Sequence, residues 1–205
     1  MKRVKLKVCG IKHNLKEVIA LQPEYIGFIF YDKSPRFFDA ETTAIPEDVL
    51  KVGVFVNATI ENISKRTMTH KLNVIQLHGE EAPAFCEELK KTLNKKEIWK
   101  VFSIKDSFDL LQLREYENVV DKFLFDTQGP EKGGNGFKFE WSLLKSYNST
   151  KPFILSGGIG LEDIPAIKDI LKIGLPIHAI DVNSKFEISP GLKNTTDLKK
   201  LQNEL

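Results

Sequence analysis

Short apolar runs punctuate this chain at near-regular intervals. They are Val4–Cys9, Tyr25–Phe30, Val52–Val56, Asn73–Leu77, Ile98–Ser103, Phe123–Asp126, Phe153–Ser156 and Ala179–Val182. Each is four to six residues long and rich in Val, Ile and Phe, the signature of a strand. The stretches between them carry helical stripes. Leu15, Val18 and Ile19 mark one apolar face, Phe85, Cys86, Leu89 and Leu93 a second, and Ile164, Ile167, Ile170 and Leu171 a third.

Eight strands alternating with about eight helices predict parallel strands joined by crossovers. At roughly 26 residues per unit, close to the size of a minimal βα unit, the natural architecture is an α/β fold of the (β/α)8 TIM-barrel type. An open doubly wound sheet is the rival, but it normally carries G-x-G-x-x-G after its first strand. Here Cys9-Gly10-Ile11-Lys12 stands in that place. No linker or composition shift divides the chain, so residues 1–205 read as one domain.

Strand parity refines the picture, because alternate residues of a barrel strand face its interior. With Cys9 inward, Lys7 and Lys5 also point in, while Val4, Leu6 and Val8 face the helices. Gln76 and His78 share a face, as do Leu124 and Asp126, and Ala179, Asp181 and Asn183. Barrel interiors are by default Val, Ile and Leu. Polar residues clustered near strand C-termini therefore mark the end where barrels hold their active sites.

Composition narrows the class without choosing it. The chain has 205 residues, 41% of them hydrophobic, with 30 Lys+Arg against 28 Asp+Glu. That near balance gives no support to nucleic-acid binding. No apolar run reaches the ~18 residues of a membrane span, and the charged start has no following apolar segment of a signal peptide. Two cysteines are too few for a disulfide scaffold and suit a reducing, cytoplasmic location. The four histidines show no metal-ligand spacing, so no metal is expected.

Against that background a few residues stand out. Cys9 ends the first strand; a free cysteine is usually a small buried hydrophobe, as Cys86 on its apolar stripe is expected to be. A neighbouring Lys7 would lower the thiol pKa and make a usable base. Lys7 could instead pair with Asp181, since the first and last strands adjoin in a closed barrel. Asp126 follows Phe123-Leu124-Phe125, and a carboxylate buried there is costly unless used or paired. Gly133-Gly134-Asn135-Gly136 after the sixth strand and Ser156-Gly157-Gly158 after the seventh could aim backbone N–H groups at a phosphate. Asn183, Ser184 and Lys185 after the eighth add an amide, a hydroxyl and an ammonium. Arg36, stiffened by Pro35, is a solvated loop arginine or a clamp on a carboxylate.

Taken in order, Lys7-Val8-Cys9-Gly10, Gly27-Phe28-Ile29-Phe30, Ser34-Pro35-Arg36, Gln76-Leu77-His78-Gly79, Phe125-Asp126, Gly133-Gly134-Asn135-Gly136, Leu155-Ser156-Gly157-Gly158-Ile159, Asp181-Val182-Asn183-Ser184 and Ser189-Pro190-Gly191 resemble the phosphoribosylanthranilate isomerase family. The resemblance runs from about residue 4 to 200. It implies an isomerase of tryptophan biosynthesis that rearranges an aminoaldose phosphate to an aminoketose phosphate, without cofactor or metal. By that resemblance Cys9 is the general base, Asp126 the general acid, and Arg36 holds the anthranilate carboxylate. Gly134, Asn135, Gly136, Gly157, Gly158, Asn183 and Ser184 hold the phosphate, with Lys7, His78 and Asp181 in support. The expected partner is the small phosphosugar substrate, not nucleic acid or membrane, and the protein is a monomer or homodimer.

Two positions depart from the family pattern. Lys185 replaces a usual glycine and would be strained if the site needs positive φ. Asn135 replaces a usual threonine. The alternatives are another phosphosugar barrel, such as an indole-glycerol-phosphate synthase, and a non-catalytic phosphosugar-binding barrel. The joint presence of Cys9 and Asp126 argues against the last.

Overall fold

The computed structural model describes residues 4–42, 45–104, 109–127 and 141–205. Eight parallel strands close on themselves: β1 (Lys5–Cys9), β2 (Tyr25–Ile29), β3 (Leu50–Phe55), β4 (Val74–Leu77), β5 (Glu97–Ile104), β6 (Lys122–Thr127), β7 (Phe153–Ser156) and β8 (Ile177–Val182). Each pairs with the next, and β8 returns to β1 with Lys7 opposite Asp181. The strand-and-crossover pattern in the sequence thus becomes a closed (β/α)8-type barrel. A short antiparallel hairpin, β9 (Glu187–Ser189) and β10 (Leu192–Lys193), follows β8. No apolar run announced it.

The outer layer is more uneven than eight helices. The α-helices are α1 (Leu15–Ile19), α2 (Ile60–His70), α3 (Pro83–Thr92), α4 (Ile164–Lys172) and α5 (Thr195–Glu204). Tight 3₁₀ turns, Leu110–Tyr116 and Trp141–Ser146, serve after β5 and β6. Between β2 and β3 the described residues form no helix. Pro35 and Pro46 interrupt that stretch, and a residue before proline is pushed out of the helical region. Phe38 covers the strand instead: it is buried and packs 4.5 Å from the Phe28 ring. Where helices do form, local chemistry starts them. The Thr59 hydroxyl accepts from the Asn62 N–H ahead of α2, and the Asn194 side chain accepts from the Asp197 N–H ahead of α5. Ile63, Cys86, Leu89, Ile167, Ile170, Leu198 and Leu201 are the buried faces. Cys86 is one of these packing residues, its thiol pushed up to about 11, chiefly by burial.

Parity sorts the interior into levels. Tyr25 and Trp99 meet edge to face at 5.0 Å, and the Tyr25 hydroxyl bonds His178 Nε2 at 2.8 Å. Val52, Val74, Val101, Leu124, Ile154 and Ala179 join this separate inner core. Further along the strands come Lys7, Cys9, Gln76 and Asp181, all buried. The barrel is therefore plugged with hydrocarbon below and polar above.

The Lys7 ammonium sits fully buried, 2.8 Å from Asp181 Oδ2. Burial alone would push Lys7 down, but the charges of Asp181 and Cys9 hold it above its usual value. Removing one partner of such a pair strands the other charge. Lys7→Met should therefore cost about 3–5 kcal/mol of folding stability, read from urea unfolding. A loss below about 1 kcal/mol, the worth of an exposed pair, would show that the pair does not anchor the barrel.

Candidate active site

Cys9 is the last residue of β1, and its register partner on β2 is Gly27. A Cβ on Gly27 would lie 2.8 Å from Cys9 Sγ, so the glycine makes room for the sulfur. Gly10 turns the chain at φ +71°, and its N–H donates to the Gly27 carbonyl at 2.9 Å. A Cβ on Gly10 would lie 2.8 Å from both Arg36 Cδ and Asn183 Oδ1. The tip of β1 is thus enclosed by the β2 loop on one side and the end of β8 on the other.

Burial pushes the Cys9 thiol above its usual pKa. Lys7 and Lys193 pull it the other way, while Asp181 adds to the rise. Lys7 acts on the thiol in the expected downward direction, but burial outweighs it and the net shift is upward. The physical reason is that Lys7 is already paired with Asp181, and a buried thiolate loses its hydration.

Across the mouth, Asp126 Oδ2 lies 3.3 Å from His78 Nε2. Gln76 Nε2 approaches His78 Nδ1 at 3.5 Å from below. Asp181 is close enough to Asp126 and His78 to feel both electrostatically, and Lys7 likewise feels Cys9. Cys9, Lys7, Asp181, Asp126 and His78 therefore form one connected group at the C-terminal ends of β1, β4, β6 and β8.

Arg36 is engaged by a residue that sequence reasoning missed. Its Nε donates to both Glu187 oxygens at 2.9 and 3.0 Å, and Nη2 donates to Oε2 at 2.6 Å. Lys193, buried on β10, donates to Glu187 Oε1 at 2.7 Å and to Asn183 Oδ1 at 2.8 Å. Two cations share one carboxylate, which leaves a net positive corner beside Cys9. Burial lowers the Lys193 pKa despite Glu187. The signal that could have found Glu187 and Lys193 is their flanking of Ser189-Pro190-Gly191, a turn with Gly191 at φ +85°.

After β7, the strand beside β8, Gly157 and Gly158 have φ of +100° and +60°, and a Cβ on Gly158 would meet nothing within 4 Å. Backbone curved in this way beside the open space at Gly158 is the kind of bend that can receive an anion. Ser184 is exposed next to them in the chain order of strand ends, and Lys185 pairs at 3.6 Å with Glu162. Lys185 is not among the residues with positive φ, so the strain considered for it does not arise. Gly134, Asn135 and Gly136 lie outside the described residues. Among the described residues no group of three or more His, Cys, Asp or Glu could hold a metal ion, and no helix is long and apolar enough to cross a membrane.

Residues 6–204 match the family model described as N-(5'phosphoribosyl)anthranilate (PRA) isomerase. A relative named N-(5'-phosphoribosyl)anthranilate isomerase from Parabacteroides distasonis is 45% identical over 207 residues, covering 97% of this chain and 90% of the relative. The crystal structure of phosphoribosyl anthranilate isomerase from Thermotoga maritima superposes with a TM-score of 0.83 at 29% identity, covering 98% of both chains. A phosphoribosyl anthranilate isomerase in complex with reduced 1-(o-carboxyphenylamino)-1-deoxyribulose 5-phosphate superposes with a TM-score of 0.81 at 27% identity, again over 98% of both.

Proposed function

Because this chain belongs to the N-(5'-phosphoribosyl)anthranilate isomerase family, and is an isomerase of tryptophan biosynthesis, we propose that Cys9 and Asp126 carry its chemistry. The reaction is the Amadori rearrangement of N-(5-phosphoribosyl)anthranilate to 1-(2-carboxyphenylamino)-1-deoxyribulose 5-phosphate. The observation that supports the assignment most is the convergence of an acid and a base, from β6 and β1, on the mouth of one barrel.

Asp126 protonates the furanose ring oxygen, and the C1–O bond breaks to leave an open-chain Schiff base. Cys9, as thiolate, removes the proton on C2. The electron pair moves into a C1–C2 double bond, and the result is an enolamine. Tautomerisation to the ketone returns a proton to C1, so every atom of the substrate is retained. Each proton transfer by a positioned group supplies roughly 10²–10⁴-fold. Holding both ends of the substrate makes those groups act on a fixed centre.

Arg36 takes the anthranilate carboxylate, using the guanidinium edge turned away from Glu187. Gly157, Gly158, Asn183 and Ser184, with Gly134, Asn135 and Gly136, take the phosphate. Lys7 and Asp181 hold the floor beneath Cys9, and His78 orients Asp126. The Cys9 and Cys86 thiols are both free, which suits the reducing cytoplasm. Purified protein should turn over phosphoribosylanthranilate in an assay that follows the anthranilate fluorescence, and inactivity there would refute the assignment.

Arg36→Ala should raise KM by roughly 10–100-fold, the worth of a charge-assisted hydrogen bond of about 1.5–3 kcal/mol, while kcat changes much less. An unchanged KM would leave Arg36 only its structural ion pair with Glu187.

A further inference from the structure

Glu187 has no role in the proton transfers, yet it is among the most heavily engaged carboxylates in the protein. Its Oε1 accepts from Arg36 Nε, Lys193 Nζ and the Gly191 N–H, at 3.0, 2.7 and 3.1 Å. Its Oε2 accepts from Arg36 Nε and Nη2, at 2.9 and 2.6 Å. The Glu187 side chain is only 4% exposed, against 0% for Lys193 and 20% for Arg36. Burial would raise the Glu187 pKa, but the bonds from Arg36 and Lys193 hold it below its usual value.

We infer that Glu187 is the positioning residue that sets substrate-carboxylate recognition: it fixes the guanidinium of Arg36 from behind so that the opposite edge is presented to the anthranilate carboxylate. The inference rests on the assignment of Arg36 to that carboxylate. Three features carry it. The carboxylate grips the Nε–Nη2 edge, which locks the plane of the guanidinium and leaves Nη1 outside the grip. The Arg36 stem lies against the tip of β1 at Gly10, the residue next to Cys9. Finally, Lys193 is buried and tied to Asn183 as well, so it cannot leave. Without the Glu187 charge the two cations would repel each other, and Arg36, the partly exposed one on a loop, is the one free to swing away. Specificity for an aminoaryl group bearing a carboxylate is thereby built from a hairpin outside the eight barrel strands.

The test compares Glu187→Gln, Arg36→Ala, the double variant and the charge-preserving Glu187→Asp. Two probes are titrated: reduced 1-(o-carboxyphenylamino)-1-deoxyribulose 5-phosphate and its phenylamino counterpart without the carboxylate. Steady-state kinetics are run alongside. For Glu187→Gln, Kd of the carboxylate probe and KM should rise roughly tenfold, the loss expected for a misaligned charge-assisted hydrogen bond, with kcat nearly kept. Kd of the carboxylate-free probe should stay the same. The double variant should be no weaker than Arg36→Ala alone, since Glu187 acts through Arg36. Glu187→Asp should lie between the parent and Glu187→Gln, which provides a folded comparison if the glutamine variant is unstable. Equal weakening of both probes, additive losses in the double variant, or an unchanged Kd would overturn the role of Glu187. If Arg36→Ala itself fails to distinguish the probes, the carboxylate assignment falls instead.

Discussion

Cys9→Ser should retain product binding within a few-fold while kcat falls by roughly 10²–10⁴, the contribution of a positioned general base. The hydroxyl is smaller than the thiol and fits the gap that Gly27 leaves, so the fold should survive. It is also a far weaker acid, so it cannot become the anion that takes the C2 proton. A second readout separates chemistry from packing. Burial raises the Cys9 pKa, so in the free enzyme the thiol is mostly protonated at neutral pH. The base form grows as pH rises. kcat/KM of the parent should therefore climb with pH through and above neutrality, and Cys9→Ser should flatten that limb. A serine variant with near-parent turnover and the same rising limb would remove Cys9 from the mechanism.

Asp126→Asn should also lose roughly 10²–10⁴ in kcat, because an amide cannot protonate the ring oxygen that must leave C1. Asparagine is nearly isosteric and can still meet His78, which stands 3.3 Å from the Asp126 carboxylate. Product affinity should thus change little, and thermal unfolding should stay near that of the parent. The pH dependence supplies the contrast with Cys9. With the acid gone but the base intact, the alkaline rise in kcat/KM should persist at a lower level. Turnover within a few-fold of the parent would rule out Asp126 as the acid and shift attention to His78.

Both predictions depend on residues whose importance the chain displays locally. Cys9 is the last residue of β1 and Asp126 the next to last of β6, and once Cys9 is taken as inward, period-two alternation fixes the faces of its strand neighbours. The same alternation puts Lys7 and Asp181 inside, and the adjacency of first and last strands brings them within 2.8 Å. Other features needed the folded chain. Between β2 and β3 the described residues form no helix, and Phe38 packs on Phe28 instead, a contact no periodicity encodes. The sign of the Cys9 shift is a balance between lost hydration and two nearby cations, both of which are already paired. Residue identity cannot decide that balance.

Glu187 and Lys193 mark the boundary most clearly. They follow the last barrel strand in a stretch with neither the 3.6-residue stripe of a helix nor the uninterrupted apolar run of a buried strand, so their burial is not written locally. Sequence by itself determined the eight-unit alternation, which polar residues share a strand face and the family motifs, because these depend on spacings within single strands and loops. Tertiary structure alone decided which cation meets which carboxylate. Arg36 and Glu187 are 151 positions apart, and Lys7 and Asp181 are 174 apart. Electrostatics and hydration act through space over a few ångströms, and only closure of the barrel turns those separations into contact.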